Sequence, residues 1–119
     1  MSNVFRTDEM ITRYSDFKKT AAFKSGCALC NKPALKAFKY WYITKNDFPY
    51  DRIAEKHDMI VPFRHTNETG LTLDETAELL SIKQQYLQDY DYLIEAAEQR
   101  RSIPKHFHLH LIKSKNDHT

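Results

Sequence analysis

The sequence predicts a single α+β domain. Apolar residues recur with helical spacing near the N-terminus and again in the middle of the chain, and runs rich in aromatic and β-branched residues lie between and after these stretches. The length, 119 residues, suits one core and is short for two. Hydrophobic residues at 41% and aromatics at 13% are enough to fill that core, and a count of two glycines argues against a loop-dominated chain.

Residues 7–23 carry Met10, Ile11, Tyr14, Phe17 and Ala21 at spacings of three and four, which predicts a helix with Thr7 as N-cap and Gly26 beyond its end. The run at 38–44, Phe-Lys-Tyr-Trp-Tyr-Ile-Thr, has the composition of a strand, and residues 46–51, with Asn46, Asp47, Pro49 and Asp51, punctuate it as a turn. Residues 57–61 read as a second, mostly buried strand stopped by Pro62, with His65 just past its end. Thr72-Leu73-Asp74-Glu75 has the form of a capping box. Leu73, Ala77, Leu80, Leu87, Tyr90, Ile94 and Ala97 follow at helical spacing, predicting one long helix to about Gln99. The last strand is expected at 105–113, in one domain spanning 1–119 with an N-terminal helical extension at 1–24 and a flexible tail at 114–119.

Eighteen basic against sixteen acidic residues leave a net charge of +2, far from the balance of a protein that lives on nucleic-acid backbones. A small anionic ligand fits that charge, and nucleic acid is not expected as a partner. The N-terminus has no apolar h-region and no stretch approaches the roughly 18 apolar residues of a membrane span, so a soluble cytoplasmic protein without a membrane partner is expected.

Two features carry chemistry. Cys27 and Cys30 are the only cysteines, and their spacing fits a metal knuckle, a redox pair or two inert thiols. A redox pair normally opens a helix, which Asn31-Lys32-Pro33 does poorly. In His106-Phe107-His108-Leu109-His110 the imidazoles share one face of a strand, and Phe107, Leu109 and Leu111 share the other. With the apolar row packed under a helix, three imidazoles about 7 Å apart suit a metal shell or a polyphosphate chain, and neutral imidazole is a good nucleophile near pH 7. One such histidine is usually an ordinary half-polar surface residue, but solubility does not require three in strict alternation.

The run at 106–112 resembles the signature of the histidine-triad (HIT) family, and residues 46–50 and 57–65 resemble that family's strand and turn ahead of its helix. The likeness spans roughly residues 27–112 and leaves the N-terminal helix outside. It implies a HIT-like fold with an antiparallel sheet and one long helix packed on it. It also implies a hydrolase or nucleotidyl transferase acting at the α-phosphate of a dinucleoside polyphosphate, a nucleoside phosphoramidate or a related ester. His108 would be the nucleophile, forming a nucleotidyl-histidine, with His110 a donor to the phosphate, His57 near the nucleotide and Asn46 on the ribose. Cys27 and Cys30 with His65 and His106 would hold a structural zinc, as in the CxxC-bearing members. A homodimer is implied as well, with Tyr40, Trp41 and Tyr42 as surface or, equally, as core.

Against the family pattern, only residues 100–105 separate the expected long helix from His106, where many members carry a further strand and a leaving-group donor. Ser102 or Lys105 could substitute for that donor, and Lys113 stands where many members have proline. The alternatives are a non-catalytic nucleotide-binding module and a zinc-stabilised interaction module.

Overall fold

The computed structural model describes residues 4–20, 23, 27, 29–30, 32–97, 103 and 106–115. Thr7 caps helix α1 (Asp8–Lys18), its hydroxyl accepting from the Met10 N–H, with Asp8 and Glu9 in the first turn where the helix dipole favours negative charge. Helix α1 closes at Lys18, short of the expected end; residues 21–22 lie outside the described residues, and Phe23 is again helical. The Lys19 N–H turns back to the Asp16 carbonyl, and the Thr20 hydroxyl donates to the Phe17 carbonyl at 2.6 Å, a local bond that competes with helix propagation. Gly26 lies outside the described residues.

Strand β1 (Lys36–Ala37) turns back into β2 (Trp41–Lys45), the Phe38 N–H donating to the Trp41 carbonyl at 2.7 Å. The start of the expected strand is therefore the corner of a hairpin. Strand β3 (Ala54–Pro62) is longer than expected and ends, as expected, at the proline. A 3-10 turn (Glu68–Gly70) leads to helix α2 (Leu73–Gln85), whose capping box is complete: Thr72 accepts from the Glu75 N–H and the Glu75 carboxylate from the Thr72 N–H.

Here the structure corrects the sequence reading. Helix α2 stops at Gln85, and residues 92–94 form strand β4 (Tyr92–Ile94), which pairs with β5 (Leu109–Ser114). Tyr90 sits in a turn, its N–H on the Leu87 carbonyl. Asp91 follows and holds Ser114 through its carboxylate, at 2.8 Å from the backbone N–H. Ile94 is a strand residue and Ala97 lies beyond it. A strand thus stands between helix and triad after all. With α2 ending at Gln85, residues 86–105 separate helix and triad, and of these Ser102 and Lys105 lie outside the described residues. At its other end, Ser114 belongs to β5, and the Lys115 N–H bonds the Ile53 carbonyl at 2.9 Å, so the expected tail is anchored up to there; residues 116–119 lie outside the described residues.

The five strands form one antiparallel sheet in the order β1-β2-β3-β5-β4. On the α2 face Trp41, Ile43, Ile60, Phe107, Leu109 and Leu111 pack with Leu79 and Ile82, and the Trp41 indole N–H donates to the Glu75 carbonyl at 2.8 Å. On the opposite face Leu29, Tyr42, Met59 and Val61 make a second cluster, and Tyr50, Ala54 and Ile112 a third with Phe5 against it. Trp41 and Tyr42 are therefore core of the single chain, so that stretch does not supply the apolar surface on which a dimer was expected to form. Among the described residues no helix is long and apolar enough to cross a membrane.

Candidate functional site

The extended chain at 107–111 turns Phe107, Leu109 and Leu111 to α2 and His108 and His110 to the other face, as the alternation predicts. Of the triad only His110 lies within β5, and the residue farthest ahead of it is His106. Its chain position is fixed by the Phe107 N–H, which donates to the Thr66 carbonyl at 2.7 Å and ties the triad to the turn after β3. All three triad histidines are buried. The imidazoles are also closer than strand spacing alone suggests, the His108 and His110 ring centres lying 5.1 Å apart.

The partners of each ring assign its protons. His106 Nε2 donates to the Pro62 carbonyl at 3.0 Å, so its Nδ1 carries the lone pair, and that atom faces the cysteines. His108 Nδ1 donates to the His106 carbonyl at 3.0 Å, which leaves Nε2 as the lone-pair atom. The Tyr50 N–H donates to His57 Nδ1 at 2.9 Å, so neutral His57 carries its proton on Nε2 and donates to His110 Nδ1 at 2.8 Å. His110 then donates from Nε2 to the Tyr50 hydroxyl oxygen at 3.2 Å. This order requires both rings to be neutral. Burial, reinforced by Arg6 and His108, pushes His57 down to about 3, and burial with His108 and His57 pushes His110 down to about 2. Asn46 shapes the turn beside them. Its carbonyl oxygen accepts from the Phe48 N–H at 2.8 Å, and its amide nitrogen lies 3.3 Å from His57 Nε2.

His108 and His110 open on a cleft continuous with solvent. Asn46 and Met59 line it from the sheet side. Helix α1, which lay outside the family likeness, supplies another wall with Tyr14 and Phe17, both packed on Phe48 at ring distances of 4.8 and 5.0 Å. Arg6, just before the helix, lines the cleft too, its guanidinium 4.7 Å from the Tyr50 ring centre. Arg6 and Tyr50 were not legible as site residues, for an arginine near a terminus and a tyrosine in a turn belong to no pattern.

At the other end of the row, Cys27, Cys30, His65 and His106 each point one donor atom into a space in which all four lie within 4.8 Å of one another. Cys27 Sγ is 3.2 Å and Cys30 Sγ 3.6 Å from His106 Nδ1, and Cys30 Sγ is 3.2 Å from His65 Nδ1. A tetrahedral zinc at ordinary bond lengths sets sulfur and nitrogen ligands about 3.6 Å apart, so the donor set and its spacing fit such an ion. The cysteine loop is held by Leu29, buried between its two cysteines in the cluster with Tyr42, whose hydroxyl donates to the Leu29 carbonyl. His65 is held through its neighbour, Arg64, which bonds the Glu75 carboxylate at 2.7 Å and the Gly70 carbonyl at 2.7 Å. In the metal-free chain burial and the adjacent Cys27 raise the Cys30 thiol to about 11, so metal binding there displaces protons. Sequence reasoning had named all four residues, and the structure brings all four together.

Comparison with known proteins places the fold. No protein-family model matches the chain, and no curated protein does. Among solved structures it is similar to one titled "Hit Like Protein", at a TM-score of 0.53 and 14% identity, covering 71% of this chain and 88% of that one. The fold is thus that of a HIT-like α+β domain, and at this identity the likeness extends to the fold alone.

Proposed function

We propose that this protein binds a nucleotide in the cleft beside His108 and attacks its α-phosphate. The observation that carries the reading is the His108 ring: Nδ1–H held by the His106 carbonyl, Nε2 left with its lone pair, at the edge of a cleft walled by aromatic side chains. Nε2 forms a bond to phosphorus as the bond to the leaving group breaks. The leaving group departs with the electron pair and takes up a proton. The nucleotidyl-imidazolium keeps its Nδ1–H on the carbonyl, which stabilises the positive ring. Water, or another acceptor, then displaces the histidine and loses a proton, and neutral imidazole is restored. His110 serves as a donor near the phosphate once its Nε2–H turns from the Tyr50 hydroxyl to the ligand. Asn46 completes the nucleotide side, while His57, which does not line the cleft, acts through His110, to which it donates.

Zinc is the proposed ion at Cys27, Cys30, His65 and His106, with a structural role. It would tie the start of the triad to the cysteine loop and take no part in the reaction at phosphorus. A triad devoted to the metal alone is disfavoured, since only His106 of the three adjoins the cysteines. β4 supplies the further strand between α2 and the triad, and the non-catalytic binding module rests on the leaving-group donor, for which Ser102 and Lys105 were the candidates. A homodimer remains part of the proposal on family resemblance only; sedimentation velocity at tens of micromolar tests it, and a monomer removes it.

The deciding experiment is turnover of an adenylate ester by wild type, His108→Ala and His110→Ala. Loss of the nucleophile is expected to lower the rate by several orders of magnitude, and loss of the neighbouring donor by about two or three. Zinc content and nucleotide affinity should survive in His108→Ala. Wild-type turnover in His108→Ala, or a trapped nucleotide adduct on another residue, overturns the mechanism, and nucleotide binding by wild type without turnover favours the binding module.

A further inference from the structure

The cleft contains a buried cation that no carboxylate among the described residues touches. Arg6 is 6% exposed, and the one hydrogen bond of its guanidinium among the described residues runs from Nε to the Phe48 carbonyl, at 2.8 Å. It takes part in none of the ion pairs among the described residues, which are Lys32 with Asp47, Lys56 with Asp58 and Arg64 with Glu75. Asp51, the carboxylate on the segment packed against it, favours the charged guanidinium from a distance but makes no ion pair with it, both its oxygens being held by Thr7, from the backbone N–H at 2.8 Å and the hydroxyl at 2.7 Å. The faces of Tyr14 and Tyr50 flank the guanidinium at 4.8 and 4.7 Å, a favourable setting that neutralises no charge. Asp47 also lines the cleft, but its carboxylate is paired with Lys32 at 2.5 Å and not with Arg6. Lys18 lies over Tyr14, Lys32 is paired, and His57 and His110 are neutral.

Taking a guanidinium out of water without an anion is costly, and a chain keeps such a group only where something offsets the cost. Tyr50 connects it to the triad, its ring 4.7 Å from Arg6 and 4.8 Å from the His110 ring, with both Arg6 and His110 lining the same cleft. We propose that Arg6 is an anion-binding residue of this cleft, and that a ligand phosphate beside His108 occupies the position of the absent carboxylate. Its planar fork suits phosphate, and the segment that carries it brings the α1 aromatic wall with it. The N-terminal extension would then be part of the binding site, selecting phosphorylated ligands over uncharged ones. The proposal rests on the cleft being the ligand site but not on the chemistry at His108.

The test is titration calorimetry of the full chain with AMP, adenosine and inorganic pyrophosphate, for wild type, Arg6→Gln and Arg6→Lys. Arg6→Gln is expected to weaken AMP and pyrophosphate by about tenfold to a hundredfold, the range for a charged hydrogen bond, and to leave adenosine unchanged. Arg6→Lys should fall between. AMP and adenosine weakened in equal proportion mark a merely structural clamp and overturn the proposal, as does undiminished pyrophosphate affinity in Arg6→Gln. Wild-type protein that binds neither phosphate probe overturns it too. Pyrophosphate bound through Arg6 without any affinity for AMP keeps this site and removes the nucleotide reading. Should Arg6→Gln fail to fold, Arg6→Lys carries the test: pyrophosphate must weaken while adenosine does not, and any other result overturns the proposal.

Discussion

His57 and His110 form a pair that acid should break. Both have an ordinary value near 6.5 in the unfolded chain, and burial lowers them to about 3 and about 2 in the fold. Between those limits the unfolded state binds the more protons, so stability rises with pH; it is fully present above about 6.5 and is lost as pH falls below it. The slope is up to about 1.4 kcal/mol per pH unit for each ring. Carboxylates add their own loss only lower down: Arg64 holds Glu75 below its ordinary 4.5, so its contribution disappears as pH falls through that range. Urea denaturation between pH 7.5 and 5 is therefore expected to show a shallower dependence in His57→Gln than in wild type. Equal slopes would mean that His57 is not held neutral. At this scale the row of histidines could be read from the sequence because period-two alternation is a property of the strand. Tyr50, which completes the hydrogen-bonded circuit with His57 and His110, could not, since a turn imposes no period on its side chains.

Helix α2 begins as its capping box predicts and ends where spacing alone gave no warning. Leu87, Tyr90 and Ile94 continue the 3.6 period by coincidence, while Asp89 and Asp91, turn-formers on either side of Tyr90, and the β-prone residues 92–94 carried the opposite signal. The start of the helix also bears on the metal site. Glu75 is almost wholly buried, accepts from the Thr72 N–H and both Nε and Nη2 of Arg64, and so anchors the turn from which His65 reaches the cysteines. Two substitutions separate these duties. Thr72→Ala removes the cap alone and is expected to cost about 1 kcal/mol of stability with zinc affinity unchanged. Glu75→Gln disturbs cap and anchor together, and should also weaken zinc by about tenfold, the usual scale for losing the support of a ligand. Competition with a chromophoric chelator measures it. Equal zinc affinity in the two variants would disconnect the helix start from the metal.

For the molecule as a whole, the four-residue cluster joins parts of the chain that are far apart in sequence, for Cys27 and His106 are 79 positions apart and Cys30 and His65 are 35. An ion held there closes long loops that the unfolded chain leaves open, and so acts on stability much as a cross-link does. It also bears on the cleft, because the His106 residue that would bind the ion through Nδ1 holds His108 through its carbonyl, and the Leu29 between the cysteines packs on the face that carries the cleft. Purified protein should contain close to one zinc per chain. Cys30→Ser should lose it and melt lower by more than about 10 °C, since several kcal/mol of binding energy convert to stability at about 4 °C or more per kcal/mol in a domain of this size. Chelation of wild type should reproduce the shift, and added zinc should reverse it in wild type but not in the variant. Turnover should fall on chelation because His108 loses its fixed partner, and it should recover with zinc even though the ion never contacts the phosphate. Metal-free protein that melts as the loaded form does would remove the structural zinc. A rate that stays low after zinc restores the melting temperature would separate the ion's hold on the fold from any hold on His108.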